Sequence, residues 1–121
     1  MSNPIVGLKI RRGNGLMDNT SLNIRVADTF FSRLVGLLSR KSLSDTEGLL
    51  LKPCGSIHTI GMRFSIDVLF LDRENKVLGL ADNVQANRFR FAPRHTESVL
   101  EIAEGNRIRT GINLDDYLIF D

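Results

Sequence analysis

The stretch from Ile66 to Ala81, IDVLFLDRENKVLGLA, decides the fold. Apart from Asp67, residues 66 to 71 are apolar without a break. An extended segment of this kind presents apolar side chains on both faces, Ile66, Val68 and Phe70 on one and Leu69 and Leu71 on the other. Asp72-Arg73-Glu74-Asn75 reads as a polar turn, and Lys76 to Ala81 returns as the second strand of a hairpin. Upstream, Ser21 to Val26 alternates Leu22, Ile24 and Val26 with polar Asn23 and Arg25, the period of a half-buried strand. Gly48 to Leu51 is a buried strand that Pro53 stops. Downstream, Ser98 to Ala103 and Tyr117 to Phe120 are further strands, with a helical turn at 106–110 ended by Gly111.

One short helix interrupts this series, at about 29–38. Asp28 supplies the cap for its first backbone N–H groups, and Phe30, Leu34 and Leu38 recur every four residues with Phe31 and Val35 beside them. Gly36 weakens it by about 1 kcal/mol relative to alanine, so it depends on packing. Ser44 and Glu47 have capping-box spacing, but Gly48 leaves room for only a turn. Six or more short strands with one helix predict a mainly β, single-domain sandwich or roll spanning 1–121.

Length and composition agree. The chain has 121 residues and 13.6 kDa, of which 42% is hydrophobic and 25% charged, the balance of a globular domain rather than a disordered one. Sixteen Lys and Arg against 14 Asp and Glu leave +2, too small a surplus to argue by itself for a polyanionic partner. The basic residues are lopsided, 12 Arg to 4 Lys, and arginine suits planar bidentate pairing. One cysteine excludes an internal disulfide framework. The amino-terminal residues lack the apolar core of a secretion signal, and no apolar run is long enough to span a membrane. A cytoplasmic setting is the expectation.

The segment Pro53 to Asp72, PCGSIHTIGMRFSIDVLFLD, is the densest in chemistry-bearing residues. It resembles the central signature of a widespread prokaryotic family, domain of unknown function 192, in the subgroup reading roughly PC-x-x-IHT-x-GMR-F-x-ID-x-x-FLD. Leu34 to Arg40 with Gly48-Leu49-Leu50 is similar to its upstream block. Val99-Leu100-Glu101 through Gly105, then Gly111 to Asp116, is similar to its carboxyl-terminal block. The resemblance covers about 21–120 and implies a mainly β, sandwich-like domain with no established activity. Ser65 stands where the family usually has proline, and Asp115 where it usually has glycine, which bears on a tight turn before Asp116.

Three constellations are candidates for chemistry. Cys54 and His58 are legitimate zinc ligands, but extended residues 54–58 hold their Cα atoms about 13 Å apart, and no third ligand completes the set, so neither a metal nor a cofactor is expected. Cys54, His58 and Asp67 form a formal nucleophile, base and orienting acid, the basis of a small hydrolase-like alternative. Asp67 shares a face with Leu69 and Leu71, so its carboxylate must be paired or hydrogen-bonded; Arg63 and His58 are the expected partners. Finally, QANRFRFAPR at 85–94 carries Arg88, Arg90 and Arg94 among Phe89 and Phe91. An aromatic and basic strand can bind single-stranded nucleic acid or another anion, but alternation is expected to send the rings to the core and the arginines to water, so nucleic acid is not the favoured partner. The leading expectation is a non-catalytic accessory domain that binds a small ligand or protein, with His58, Arg63, Asp67, Arg88, Arg90 and Arg94 as candidate contacts.

Overall fold

A computed structural model describes residues 4–28, 40–54, 56–59 and 62–121, with the side chains of Ser56 and His58 outside the description. Nine strands lie among the described residues: β1 Ile5–Arg11, β2 Met17–Ala27, β3 Glu47–Leu51, β4 Ser56–His58, β5 Ile66–Leu71, β6 Val77–Val84, β7 Phe89–Phe91, β8 Ser98–Ala103 and β9 Tyr117–Phe120. A five-residue helix, α1, spans Asn106–Thr110. The helix expected at about 29–38 falls outside the described residues.

Seven strands form one mixed sheet in the order β6-β5-β8-β3-β2-β1-β9, and β4 and β7 form a separate two-stranded ribbon. All neighbours in the sheet run antiparallel except β2 and β3. A parallel pair needs a long connection, and the 19 residues between them provide it. The sheet rolls: Lys76 bridges Tyr117, the Val77 N–H donates to the Asp116 carbonyl at 2.8 Å, and the Leu118 N–H donates to the Asn75 carbonyl at 2.9 Å. These bonds bring the edge strands β6 and β9 together at one end.

The roll explains why β5 and β8 are buried along their whole length. Leu69, Leu71, Leu100 and Ile102 face an inner core shared with Leu8, Ile10, Leu22, Ile24 and Leu118. Ile66, Val68, Phe70 and Val99 face an outer cluster with Leu49, Leu51, Ile57 and Met62. The two-faced apolar reading of IDVLFL is therefore realised, and the mainly β roll with it.

Local readings held with adjusted bounds. The strand expected at 21–26 extends to Met17–Ala27, and the returning hairpin strand runs on to Val84. Ser44 and Glu47 make a turn, the Ser44 N–H donating to Glu47 Oε1 at 3.2 Å. Asp115, where the family resemblance implies glycine, takes the left-handed conformation at φ 69°, which a short polar side chain tolerates, and the turn before Asp116 forms. Strand β1 is the element sequence reasoning passed over, although Leu8 and Ile10 alternate with Lys9 and Arg11.

Arg12 fastens the carboxyl end of α1 to β1. Its Nη1 donates to the Gly111 carbonyl at 2.6 Å and to Asp116 Oδ2 at 2.8 Å, and its Nε donates to Asp18 at 2.8 Å. These carboxylates, Asp18 first, hold the guanidinium above its ordinary pKa. Arg12→Ala removes a partner from the nearly buried Asp116 carboxylate and from the Gly111 and Thr110 carbonyls, the latter held by Nη2 at 3.2 Å, so a loss of about 2 kcal/mol is expected. Urea unfolding followed by circular dichroism reads it as a lower midpoint.

Candidate functional site

The sheet separates the members of the supposed triad. Cys54 packs against the outer cluster, just beyond the end of β3. Asp67 points the other way, sharing its side of β5 with Leu69 and Leu71 of the inner core. The backbone of His58 belongs to β4, paired with Phe89. Cys54 and Asp67 thus lie on opposite faces of the sheet.

Asp67 is 1% exposed, and among the described residues its partners are three backbone N–H groups and not the expected Arg63; the side chain of His58, the other expected partner, lies outside the description. Oδ1 accepts from Asn83 at 2.9 Å, and Oδ2 accepts from Gly105 and Arg107 at 3.0 Å each. Gly105 sits at φ 88°, a left-handed conformation that glycine adopts without a Cβ penalty, and this turns the first N–H groups of α1 toward the carboxylate. Asp67 therefore acts as a remote cap, joining β5, β6 and α1. Arg107, the first-turn residue it helps to place, forms an ion pair with Asp82 that lowers the Asp82 pKa.

Glu101 is the residue that sequence reasoning missed. It lies in β8, with Leu49 and Val68 as its neighbours on the flanking strands, and is 4% exposed. Among the described residues its carboxyl group has no ion pair, and burial pushes its pKa up to about 7. The signal was present: SVLEIA holds a single acid inside an apolar strand, as IDVLFL does.

A polar cleft of about 330 Å³ opens elsewhere, near Asn19, Asp45, Asn106 and Arg109. Its polar groups satisfy one another: Arg109 reaches Asn106 Oδ1 at 2.7 Å, and Asn106 donates to the Asp45 carbonyl at 2.8 Å. Among the described residues no three His, Cys, Asp or Glu side chains gather as a metal site would require.

The β4–β7 ribbon is different. Thr59 staples its open end: its N–H donates to the Arg88 carbonyl at 2.8 Å, its Oγ1 donates to the Gln85 carbonyl at 2.6 Å, and the Arg88 N–H donates back to that oxygen at 2.8 Å. At the other end Pro93 seats against Gly79 of β6, where a Cβ would stand 2.7 Å from the proline ring. Ile57 anchors the ribbon in the outer cluster.

The rings of β7 are not in the core, contrary to the sequence expectation. Phe89 is 48% exposed and Phe91 85%, their centroids 4.8 Å apart in an edge-to-face pair. The strand is only three residues long and lies in a two-stranded ribbon outside the seven-stranded sheet, where both rings keep much of their surface in water. Arg88 and Arg90 stay at that edge, donating to the Asn87 carbonyl at 3.4 Å and the Phe89 carbonyl at 3.2 Å. Arg63, Arg88, Arg90 and Arg94 are all exposed, and none has a carboxylate partner among the described residues. Arg12, Arg40, Arg107 and Arg109 each have one.

A rolled mixed sheet bearing an aromatic and basic ribbon defines the class of this domain. The family model of domain of unknown function 192, described as Uncharacterized ACR, matches residues 10–120, and the chain belongs to that family. No curated protein matches the sequence. A crystal structure from Sinorhizobium meliloti, titled as that of a candidate transcription regulator, is similar with a TM-score of 0.86 at 18% identity, over 99% of this chain and 96% of that one. A protein of unknown function from Novosphingobium aromaticivorans is similar with a TM-score of 0.80 at 24% identity, over 95% of this chain and 84% of that one. At these identities the likeness establishes the shared fold. No helix among the described residues is long and apolar enough to cross a membrane.

Proposed function

We propose that this chain is a non-catalytic binding module that engages an anionic partner through the β4–β7 ribbon and the arginines around it. One observation carries the reading: Arg63, Arg88, Arg90 and Arg94 lie exposed in the segments that border one ribbon, and none has a carboxylate partner among the described residues, whereas Arg12, Arg40, Arg107 and Arg109 each have one. Arg11, Arg25 and Arg73 are also without one but belong to β1, β2 and the β5–β6 turn. Exposed guanidinium groups without a carboxylate partner keep most of their N–H donors for charge-assisted bonds to phosphate, sulfate or carboxylate. The separation of Cys54 from Asp67 across the sheet weighs against the hydrolase-like alternative.

The test is retention on immobilised heparin. The native protein is expected to bind at low salt and to elute as salt screens the contacts. The double substitution Arg88→Glu with Arg90→Glu should abolish retention while shifting the urea midpoint by less than about 0.5 kcal/mol equivalent, because both residues are exposed. Passage of the native protein straight through the column, or equal retention of the variant, sinks the reading.

A further inference from the structure

We infer that the anionic partner is single-stranded nucleic acid, its bases stacking on Phe89 and Phe91 and its phosphates meeting Arg88, Arg90 and Arg94; this rests on the binding-module reading above. Charge distribution is the first support. Residues 52–65 and 85–96, the segments that build and flank the ribbon, contain Lys52, Arg63, Arg88, Arg90 and Arg94 and no acid, a net +5 over 26 residues. The whole chain carries 16 basic and 14 acidic residues, so the remaining 95 residues carry 11 and 14, a net −3. A modest overall +2 thus conceals a strongly segregated charge, and the positive part coincides with the exposed rings. Fields of this shape steer polyanions to one face.

The rings decide which polyanion. Phe89 and Phe91 occupy alternate positions of one strand, so they project from the same face of the ribbon. A simple phosphate, a sulfated chain or an acidic peptide uses the arginines and leaves exposed phenyl surface wet. A strand of unpaired bases uses both, because every base has a planar face that stacks on an aromatic ring while its backbone follows the cationic edge. Duplex nucleic acid hides those faces in its own stack, and the five-residue α1, the only helix among the described residues, belongs to no part of this surface. The Arg90 guanidinium turns back to the Phe89 carbonyl at 3.2 Å, so its charge stays at the edge of the strand that carries the rings.

The experiment is fluorescence anisotropy of the full chain with a labelled 12-nucleotide oligothymidylate. Three competitors are used: an abasic oligomer of equal length and charge, a duplex and polyglutamate. Binding is expected to weaken with salt at a log–log slope near −2, as about three phosphate contacts on a single strand require. Phe89→Ala with Phe91→Ala should cost at least tenfold in affinity and leave the slope unchanged. Arg88→Gln with Arg90→Gln should flatten the slope. Unchanged urea midpoints show that the variants are folded. Equal affinity for the abasic oligomer, or preference for the duplex or polyglutamate, overturns the inference while leaving the anionic reading intact. Failure to bind heparin as well as every oligomer overturns both.

Discussion

Asp67→Asn is expected to lower the stability of the protein by about 3 kcal/mol or more, although the substitution changes only one atom's chemistry. The carboxylate accepts three backbone N–H groups, and two of them, from Gly105 and Arg107, converge on the same oxygen. An amide offers one acceptor oxygen and an NH2 group. If the oxygen serves α1, the NH2 faces the Asn83 N–H; if it serves Asn83, the NH2 faces two donors. Either arrangement buries donor against donor at a site 1% exposed. With an m-value of about 2 kcal/mol/M, the urea midpoint should fall by about 1.5 M. Faster amide hydrogen exchange should appear first at Gly105 and Arg107, the N–H groups released. A variant with a native midpoint and native protection there would show that the carboxylate is dispensable to the join between β5, β6 and α1.

Glu101→Gln is expected to act in the opposite direction and to do so only above acid pH. The native carboxyl titrates near pH 7 in the folded protein, against an ordinary 4.5, because burial disfavours its charged form. Between those values the folded state binds more protons than the unfolded one, so Glu101 lowers stability as pH rises from about 4.5 to about 7 and adds no further slope beyond that. A displacement from 4.5 to about 7 amounts to about 3 kcal/mol. Glutamine keeps the shape and never ionises. It should therefore raise stability by about 2 to 3 kcal/mol at pH 8 and by little at pH 4. The difference between the two proteins isolates this group, since Glu47 and Asp82, whose pKa values are lowered by Arg40 and Arg107, contribute equally to both. Parallel stability curves from pH 4 to pH 8 would show that the Glu101 carboxyl is not held in its protonated form.

The parts of the fold legible in the sequence are those fixed by short-range pattern. IDVLFL announces a strand buried on both sides because it has no polar alternation apart from Asp67, and DREN announces the turn because four polar residues interrupt two apolar runs. A sandwich or roll was legible, but not which strand edges meet, because that depends on contacts such as Lys76 with Tyr117, far apart in the chain. The same limit applies to Asp67. Its need for partners follows from its position in an apolar strand, but the partners are N–H groups of residues 83, 105 and 107, which carry no side-chain signature. Proximity in sequence favoured Arg63; topology brought residues 83, 105 and 107 instead. Phe89 and Phe91 mislead for a related reason. Alternation distinguishes two faces of a strand but not which face has a neighbour, and a ribbon of two short strands leaves one of them bare.

The meeting of β6 and β9 bears on how this molecule behaves in crowded solution. Hydrogen bonds that a flat sheet would offer at its margins are spent within the chain at the end where these strands meet, so a second copy finds a shorter edge on which to extend the sheet. The outer margin of β7 is a place where such growth could begin, and there Arg90 sits between two phenylalanines. A cation within an apolar triplet is the kind of residue that discourages stacking of identical chains. Arg90 is therefore expected to oppose pairing between copies at the strand that carries the exposed rings.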